Sequence, residues 1–220
     1  MAAGEGTRLR PVTERWPKPV LPIDGRPVIA TLLRELAAAG IELAVVVTGY
    51  LAEQVETLVG DGSGFGLEIR FARQPGVLGS ADVVRRGLAA GAEPPFLVTA
   101  ADTVYTPGAV GRFVREAAGF PGAIAVRRGS GSTGIKVVDG LVDEVVYKAE
   151  TPFTSAPLWA FGPELVPFLD GLPGPPYELA AAYRRAIVKR LRVGAIEIGK
   201  TRDLTYPVDL VKENFPYLGS

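Results

Sequence analysis

Residues 4 to 19 bring together the groups that bind a polyphosphate. Gly4 and Gly6 lie two apart, Arg8 and Arg10 follow at the same interval, and Lys18 stands between Pro17 and Pro19. Glycine tolerates the dihedrals that let successive backbone N–H groups turn inward around an anion. Proline fixes φ and removes a donor, so the two prolines predict a stiff, non-helical arm that holds the Lys18 ammonium in place. One nest, two guanidiniums and one rigid ammonium suit a triphosphate. The plain alternative is a Pro/Gly-rich surface loop with solvated charges. Lys18 is expected to matter more than Arg10, which can simply pair with a surface carboxylate.

The remaining composition limits the chemistry. The 220-residue chain contains no His and no Cys, which excludes a disulfide, a thiol nucleophile, a Ser-His-Asp triad and an imidazole acid–base catalyst. Carboxylates, lysines, arginines, hydroxyls and a hard metal ion are what is left. Lys+Arg and Asp+Glu are both 24, so no global field recruits nucleic acid or an acidic membrane, and anion binding must be local. No apolar run is long and uncharged enough to span a bilayer. The expectation is a cytoplasmic protein with no nucleic-acid or membrane partner, self-association being left open. Asp102 follows the apolar run Phe96-Leu97-Val98, which would deliver it to a strand's carboxyl end. A carboxylate there can hold Mg²⁺ against phosphate oxygens, because Mg²⁺ takes one or two carboxylates and fills its other positions with substrate and water. The alternative for Asp102 is a turn residue ahead of Tyr105-Thr106-Pro107.

The run Gly-Glu-Gly-Thr-Arg-Leu-Arg-Pro-Val-Thr-Glu-Arg-Trp-Pro-Lys-Pro, residues 4 to 19, resembles without a break the opening motif of the nucleotidyltransferases that activate sugar 1-phosphates. The resemblance is to the small uridylyl- and thymidylyltransferases of that family. It implies that Ala3, Gly4, Gly6 and Thr7 cradle the phosphates of UTP or dTTP, that Arg8 neutralises the leaving group, and that Lys18 bridges the α-phosphate and the acceptor. It implies Mg²⁺ held by Asp102 and by Asp203. The latter falls in Gly199–Leu210, which is similar to the family's closing motif although Thr201 and Thr205 replace its tryptophan and glycine. Asp209 is read instead as the cap of the last helix. Gln74-Pro75-Gly76-Val77-Leu78-Gly79-Ser80 is similar to the family's base-reading segment. There the Gln74 amide would offer a donor and an acceptor to uracil or thymine, with Gly79 adding a backbone contact; alternatively Gln74 satisfies a turn. For a phosphorylated sugar acceptor the resemblance points to Gly134, Lys148 and Ser155. Tyr147-Lys148-Ala149 keeps the lysine but not the glutamate of the family's Glu-Lys-Pro. The reaction implied is in-line attack of the acceptor phosphate on the α-phosphorus, with no general base required. Two other readings stay open: a cytidylyltransferase acting on a small phosphorylated alcohol such as phosphocholine or inositol phosphate, and a non-catalytic nucleotide-sugar-binding regulator.

The elements that must position these residues alternate in the first half. Pro27 to Ala39 reads as a helix closed by Gly40, Leu43 to Val47 as a strand buried on both faces, Leu51 to Val59 as a helix, and Leu67 to Phe71 as a strand. Ser80 can cap a helix running to about Ala90, and Phe96 to Ala100 is another buried strand. This rhythm predicts an α/β fold with a doubly wound, Rossmann-like, mostly parallel sheet, of the nucleotide-diphospho-sugar transferase type under the resemblance. The second half changes style, with strands at Ala123 to Val126, Ile135 to Val138, Leu141 to Val146, Ala156 to Phe161 and Ala195 to Ile198. Asp139-Gly140 marks a hairpin, and helices follow at Tyr177 to Arg190 and Pro207 to Asn214. A single domain over 1–220 is expected, with a nucleotide half over about 1–120 and an acceptor half over about 121–220. Under the resemblance, the C-terminal β-helix domain of some relatives is not expected. Only Met1, Ala2 and Ala3 precede Gly4, where relatives carry a buried strand, so the first strand is expected to be truncated and the natural protein to start upstream.

Overall fold

The computed structural model describes residues 1–129, 131, 133–147 and 150–218. A short hairpin, β1 (Pro22–Ile23) and β2 (Arg26–Pro27), turns through Asp24 and Gly25, both at positive φ. It leads into α1 (Val28–Ala38), whose Val28, Ile29, Leu32, Leu33 and Leu36 recur at helical spacing and are buried. Gly40 ends it in the left-handed conformation, φ 83°. Then come β3 (Leu43–Thr48), α2 (Ala52–Val59) and β4 (Glu68–Arg73), with β3 and β4 paired in parallel. α3 (Ser80–Ala89) precedes β5 (Phe96–Thr99). β6 (Thr103–Tyr105), α4 (Ala109–Ala117), β7 (Gly122–Arg128), β8 (Thr133–Val138), β9 (Leu141–Tyr147) and β10 (Phe153–Phe161) follow. The chain closes with α5 (Leu179–Val188), β11 (Val193–Glu197), β12 (Thr201–Asp203) and α6 (Pro207–Asn214).

The six-stranded sheet has the order β5-β10-β7-β11-β9-β8. β7 and β11 are parallel, whereas β10 runs antiparallel to β5, β7 and β8. The parallel signal read along the sequence thus belongs to β3–β4 and β7–β11, and the antiparallel second half matches its hairpin character. Asp139 and Gly140, at φ 49° and 74°, make the expected turn. Four predicted elements begin two or three residues away: the helix expected from Tyr177 begins at Leu179, and the strands expected from Ala156, Ile135 and Ala195 begin at Phe153, Thr133 and Val193. β6, α4 and β12 were not anticipated. α4 carries Gly111 inside it, but Ala109, Val110, Phe113 and Ala117 hold its inner face in the core. Among the described residues no helix is long and apolar enough to cross a membrane.

Three groups of buried side chains organise this frame. One lies among α1, α4, β3 and β4 around Phe113, and another lies under α5 around Tyr183, Trp159 and Phe161. The third is small and joins distant parts of the sequence: Leu9, Leu21, Ile23, Val28 and Leu204. It presses the arm that carries Lys18 against the segment that follows Asp203. α6 fixes that segment further, because the Asp209 carboxylate accepts from the N–H groups of Thr205 (2.9 Å) and Tyr206 (2.7 Å). This is the capping role expected for Asp209. The Tyr206 N–H bond, above all, holds the Asp209 carboxyl below its ordinary pKa.

A lowered carboxylate pKa stabilises the folded chain above the unfolded pKa, and the effect is lost as pH falls through the folded value. Asp209→Ala should therefore cost about 1 kcal/mol in urea unfolding at pH 7. The difference between variant and parent should shrink below about pH 4, where an unfolded Asp protonates. A constant difference across that range would mean that the carboxylate charge is not what holds the cap.

Candidate active site

The glycine-rich arm is shaped by one close approach. Gly6 is left-handed at φ 62°, and a Cβ there would lie 3.0 Å from Thr13 Cγ2. Thr13, itself buried, donates its hydroxyl to the Gly6 carbonyl at 2.9 Å. Gly6 caps a 3₁₀ turn, Thr7–Leu9, whose Leu9 is the arm's anchor in the small core. Arg8 is exposed, and no carboxylate among the described residues pairs with it. Arg10 pairs with Glu5 at 3.4 Å, both half-exposed, the surface pairing foreseen for it. The arm at Lys18 is not wholly non-helical: Pro17 is extended, but Lys18–Val20 forms a 3₁₀ turn. Its stiffness comes from Pro17 and Pro19, both buried.

Lys18 and Asp102 are brought together. The Lys18 Nζ donates to Asp102 Oδ2 at 2.7 Å, with side chains 14% and 30% exposed. Asp102 lies three residues past the end of β5, as its apolar run suggested, and the next residue opens β6. β12 pairs antiparallel with β6 and sets Asp203 opposite Thr103, so Asp203 stands diagonally across from Asp102 on the same rim. Asp203 is exposed and accepts only a long bond, 3.4 Å, from the Thr205 hydroxyl. Among the described residues no group of three or more His, Cys, Asp or Glu converges. Two carboxylates on one rim beside the glycine-rich arm are nonetheless the hard oxygen donors Mg²⁺ takes, its remaining positions being filled by other oxygens and water.

Arg127, at the carboxyl end of β7, escaped the sequence reading. It donates Nη1 to Thr201 Oγ1 at 2.7 Å, while its buried Nε has no partner among the described residues. The buried phenol of Tyr105 lies within the fields of both Arg127 and Asp102. Burial, first, raises its pKa, the Thr99 hydroxyl and Arg127 oppose the rise, and Asp102 adds to it. The pair Arg127-Arg128 directly after an apolar strand was the available signal. In the ladders Arg127 sits opposite Thr154, and Thr154 opposite Gly134. The predicted acceptor residues Gly134 and Ser155 therefore lie on neighbouring strands beside Arg127. Gly134 is buried within β8, and Ser155 gives its hydroxyl to the Ala156 carbonyl at 3.0 Å. Lys148 lies outside the described residues.

Gln74 requires a correction. It is buried, and its amide nitrogen donates to the Gly79 carbonyl (3.1 Å) and to Asp82 Oδ2 (2.9 Å). Both N–H groups are spent inside the protein, so the side chain presents an acceptor alone. The Gly79 N–H has no hydrogen-bond partner among the described residues. Gly79 is at φ 91°, and a Cβ there would collide with the Tyr177 backbone. Tyr177 is stitched to the same loop by N–H bonds from Tyr177 to the Leu78 carbonyl and from Ala81 to the Tyr177 carbonyl, both 2.8 Å. Ser80 does not cap its own helix. Its hydroxyl donates to Glu178 at 2.7 Å and accepts from the first N–H of α5, that of Leu179, at 2.8 Å.

Residues 1–126 match the family model described as Nucleotidyl transferase. The chain is 37% identical over 105 residues, 47% of this chain and 46% of the other, to the N-acetylmuramate alpha-1-phosphate uridylyltransferase of Neisseria meningitidis serogroup B. It is 50% identical over 54 residues, 24% of this chain and 22% of the other, to the 2-aminoethylphosphonate cytidylyltransferase of Lancefieldella rimae. The alignments thus span less than half the length of these curated relatives. The fold superposes on an apo UDP-glucose pyrophosphorylase with TM-score 0.81 at 20% identity, covering 99% of this chain and 96% of that one.

The loop at Gly79 supplies a test of this geometry. Gly79→Ala forces a side chain into the Tyr177 backbone at a positive φ and should cost well over 1 kcal/mol, roughly 3 °C or more in Tm for a chain of this size. Gly76→Ala, where a Cβ would meet nothing within 4 Å, should stay within about 0.5 kcal/mol of the parent. Equal melting curves for both would show that the Gly79–Tyr177 junction is not held as described.

Proposed function

The chain belongs to the nucleotidyl transferase family, and on that premise we propose that it moves a nucleoside monophosphate from UTP or dTTP onto a sugar 1-phosphate, releasing pyrophosphate and forming a nucleotide sugar. The observation that carries the reading is the Lys18–Asp102 pair, 2.7 Å long, made by the arm that also carries Gly4, Gly6 and Arg8, the last without a carboxylate partner among the described residues. In this reading the backbone of Ala3, Gly4, Gly6 and Thr7 cradles the triphosphate. Arg8 offsets the charge that builds on the departing β- and γ-phosphates. Lys18 turns from Asp102 to the α-phosphate and the incoming acceptor phosphate. Asp102 and Asp203 would hold Mg²⁺, which when bound offsets negative charge on the phosphate oxygens.

A phosphate monoester dianion is already a nucleophile, so the step needs no general base, in keeping with a chain that has no histidine. The acceptor oxygen attacks the α-phosphorus, a new P–O bond forms, and the bond to pyrophosphate breaks. Catalysis is positioning plus charge neutralisation. Gly134, Lys148 and Ser155 serve the acceptor, with Arg127 added as a cation for its phosphate. The Gln74 carbonyl takes the N3–H of uracil or thymine, while the Gly79 N–H meets O4. Guanine presents the same acceptor and donor side by side, so GTP is the control that separates edge recognition from ring size.

A second reading, a cytidylyltransferase for a small phosphorylated alcohol, is favoured by the cytidylyltransferase relative and by the missing glutamate before Lys148. Pyrophosphate release, measured for five nucleoside triphosphates against a panel of sugar 1-phosphates and phosphorylated alcohols, separates the two. The expected result is UTP or dTTP with a sugar 1-phosphate. CTP with a non-sugar acceptor would establish the second reading, and preference for GTP or ATP would overturn the base assignment. No release with any pair would leave a nucleotide-sugar-binding regulator. In the active pair, Lys18→Ala should lower kcat by at least ~100-fold, the size of losing one preorganised transition-state contact. Arg10→Ala should stay close to the parent.

A further inference from the structure

The chain carries three side-chain amides, Gln54, Gln74 and Asn214, and of these only Gln74 is buried. It stands one residue past β4, with its backbone N–H on the Thr48 carbonyl at 2.8 Å. Its Nε2 lies between two groups that can only accept, the Gly79 carbonyl and the Asp82 carboxylate. An amide turned over would set Oε1 against both, losing two hydrogen bonds and gaining two repulsions. The neighbours therefore enforce one flip of this side chain. Oε1 accepts no hydrogen bond among the described residues, and it is not closed off from solvent.

Asp82 is itself held from behind. It sits in the first turn of α3, where the positive end of a helix favours a carboxylate. Arg86, one turn on, donates Nε to the same Oδ2 at 2.7 Å, and its Nη1 donates to the Arg73 carbonyl at 2.9 Å. Arg73 directly precedes Gln74, so a closed circuit runs from Gln74 through Asp82 and Arg86 back to the backbone beside Gln74. The Asp82 side chain is 14% exposed. Burial opposes its ionisation, but the bonds from Arg86 and Gln74 outweigh that and leave the carboxyl below its ordinary pKa. At neutral pH it is an acceptor only.

We propose that Asp82 sets which nucleobases the site admits, by holding the Gln74 amide in the one flip that meets a base with an oxygen. The proposal rests on the reading of Gln74 as the base contact. Uracil and thymine offer that oxygen N3–H, and guanine offers it N1–H. Cytosine carries a lone pair at N3 and adenine one at N1, so each would set lone pair against lone pair. A free amide would turn over and meet cytosine with an N–H, which is the outcome the Asp82 carboxylate forbids. Selectivity then comes from a repulsion built against the wrong base as much as from a bond to the right one. Asp82 touches neither base nor phosphate in this account, and it acts through Gln74 as a positioning residue. The same lock weighs against the cytidylyltransferase alternative.

The test compares equilibrium binding of UTP, GTP, CTP and ATP, with Mg²⁺ present, to the parent, Asp82→Ala, Asp82→Asn and Gln74→Ala chains. Asp82→Ala should narrow the preference for UTP over CTP by ~10-fold or more, the size of one hydrogen bond to a charged group. The UTP-to-GTP ratio should stay where it was, because both bases present an N–H to Oε1. Asp82→Asn keeps the shape should the Ala variant fail to fold. Its amide can turn over together with that of Gln74, so the same ratio should move the same way. Damage to the fold alone would weaken all four nucleotides together. That outcome, an unmoved UTP-to-CTP ratio, or a parent that prefers CTP would overturn the proposal. Gln74→Ala separates this from the reading beneath it: binding of all four as in the parent would overturn the base contact itself. A further readout needs no nucleotide. With so few side-chain amides in the chain, the Gln74 pair is identified in an amide NMR spectrum by its loss in Gln74→Ala. Its protons should exchange with solvent at least ~10-fold faster in Asp82→Ala than in the parent. Equal exchange would show that Asp82 does not hold the amide.

Discussion

Everything at the charged site hangs on one ion pair between residues 84 apart in sequence, Lys18 and Asp102. Half-buried and 2.7 Å long, it ties the proline-braced arm to the end of β5. Removing one partner of such a pair leaves the other desolvated and uncompensated. A phosphate arriving beside it offers Lys18 a second anion, and a divalent cation offers Asp102 a second charge. In the proposed reaction the pair would therefore open without either group being left alone. The hydrophobic grip of Leu9 and Leu204 in one small core ties the arm to the Asp203 segment.

The chain's balanced charge makes this local arrangement decisive. With 24 basic and 24 acidic residues, no long-range field draws anions in, and selectivity falls to cations that lack partners. Arg8, with no carboxylate partner, and the buried Arg127 Nε are such groups among the described residues. Arg10, two residues from Arg8, is already paired with Glu5. Guanidiniums close together in sequence are thus set apart in role by whether a carboxylate is within reach.

The parts legible in the sequence were those where residue type forces the backbone or the chemistry. Gly6 had to be glycine because Thr13 fills the space of its Cβ. The prolines around Lys18, the Asp139-Gly140 turn, the Asp209 cap and the buried run of β3 all announce themselves. Illegible were features made by distant pairing. β6 and β12 are three-residue strands with no pattern of their own, yet they set Asp203 beside Asp102. Ser80 looked like a cap for its own helix and serves the start of α5, almost a hundred residues on. Gln74 looked like a complete donor–acceptor edge, but Asp82 and the Gly79 carbonyl claim its N–H groups. β10 runs through Pro157 with a register shift against β7 between Ser155 and Trp159, as befits a residue with no N–H to give.

The central claim is that the acceptor phosphate attacks the nucleotide directly, with Lys18 acting as a clamp and not as a nucleophile. An ammonium paired to Asp102 has no lone pair to offer. The measurement that reaches this most directly is exchange of labelled pyrophosphate into the nucleoside triphosphate, with and without the acceptor. Direct displacement predicts no label in the triphosphate until acceptor phosphate is added, and steady incorporation afterwards. Incorporation without acceptor would require a covalent nucleotidyl–protein intermediate and would contradict the account.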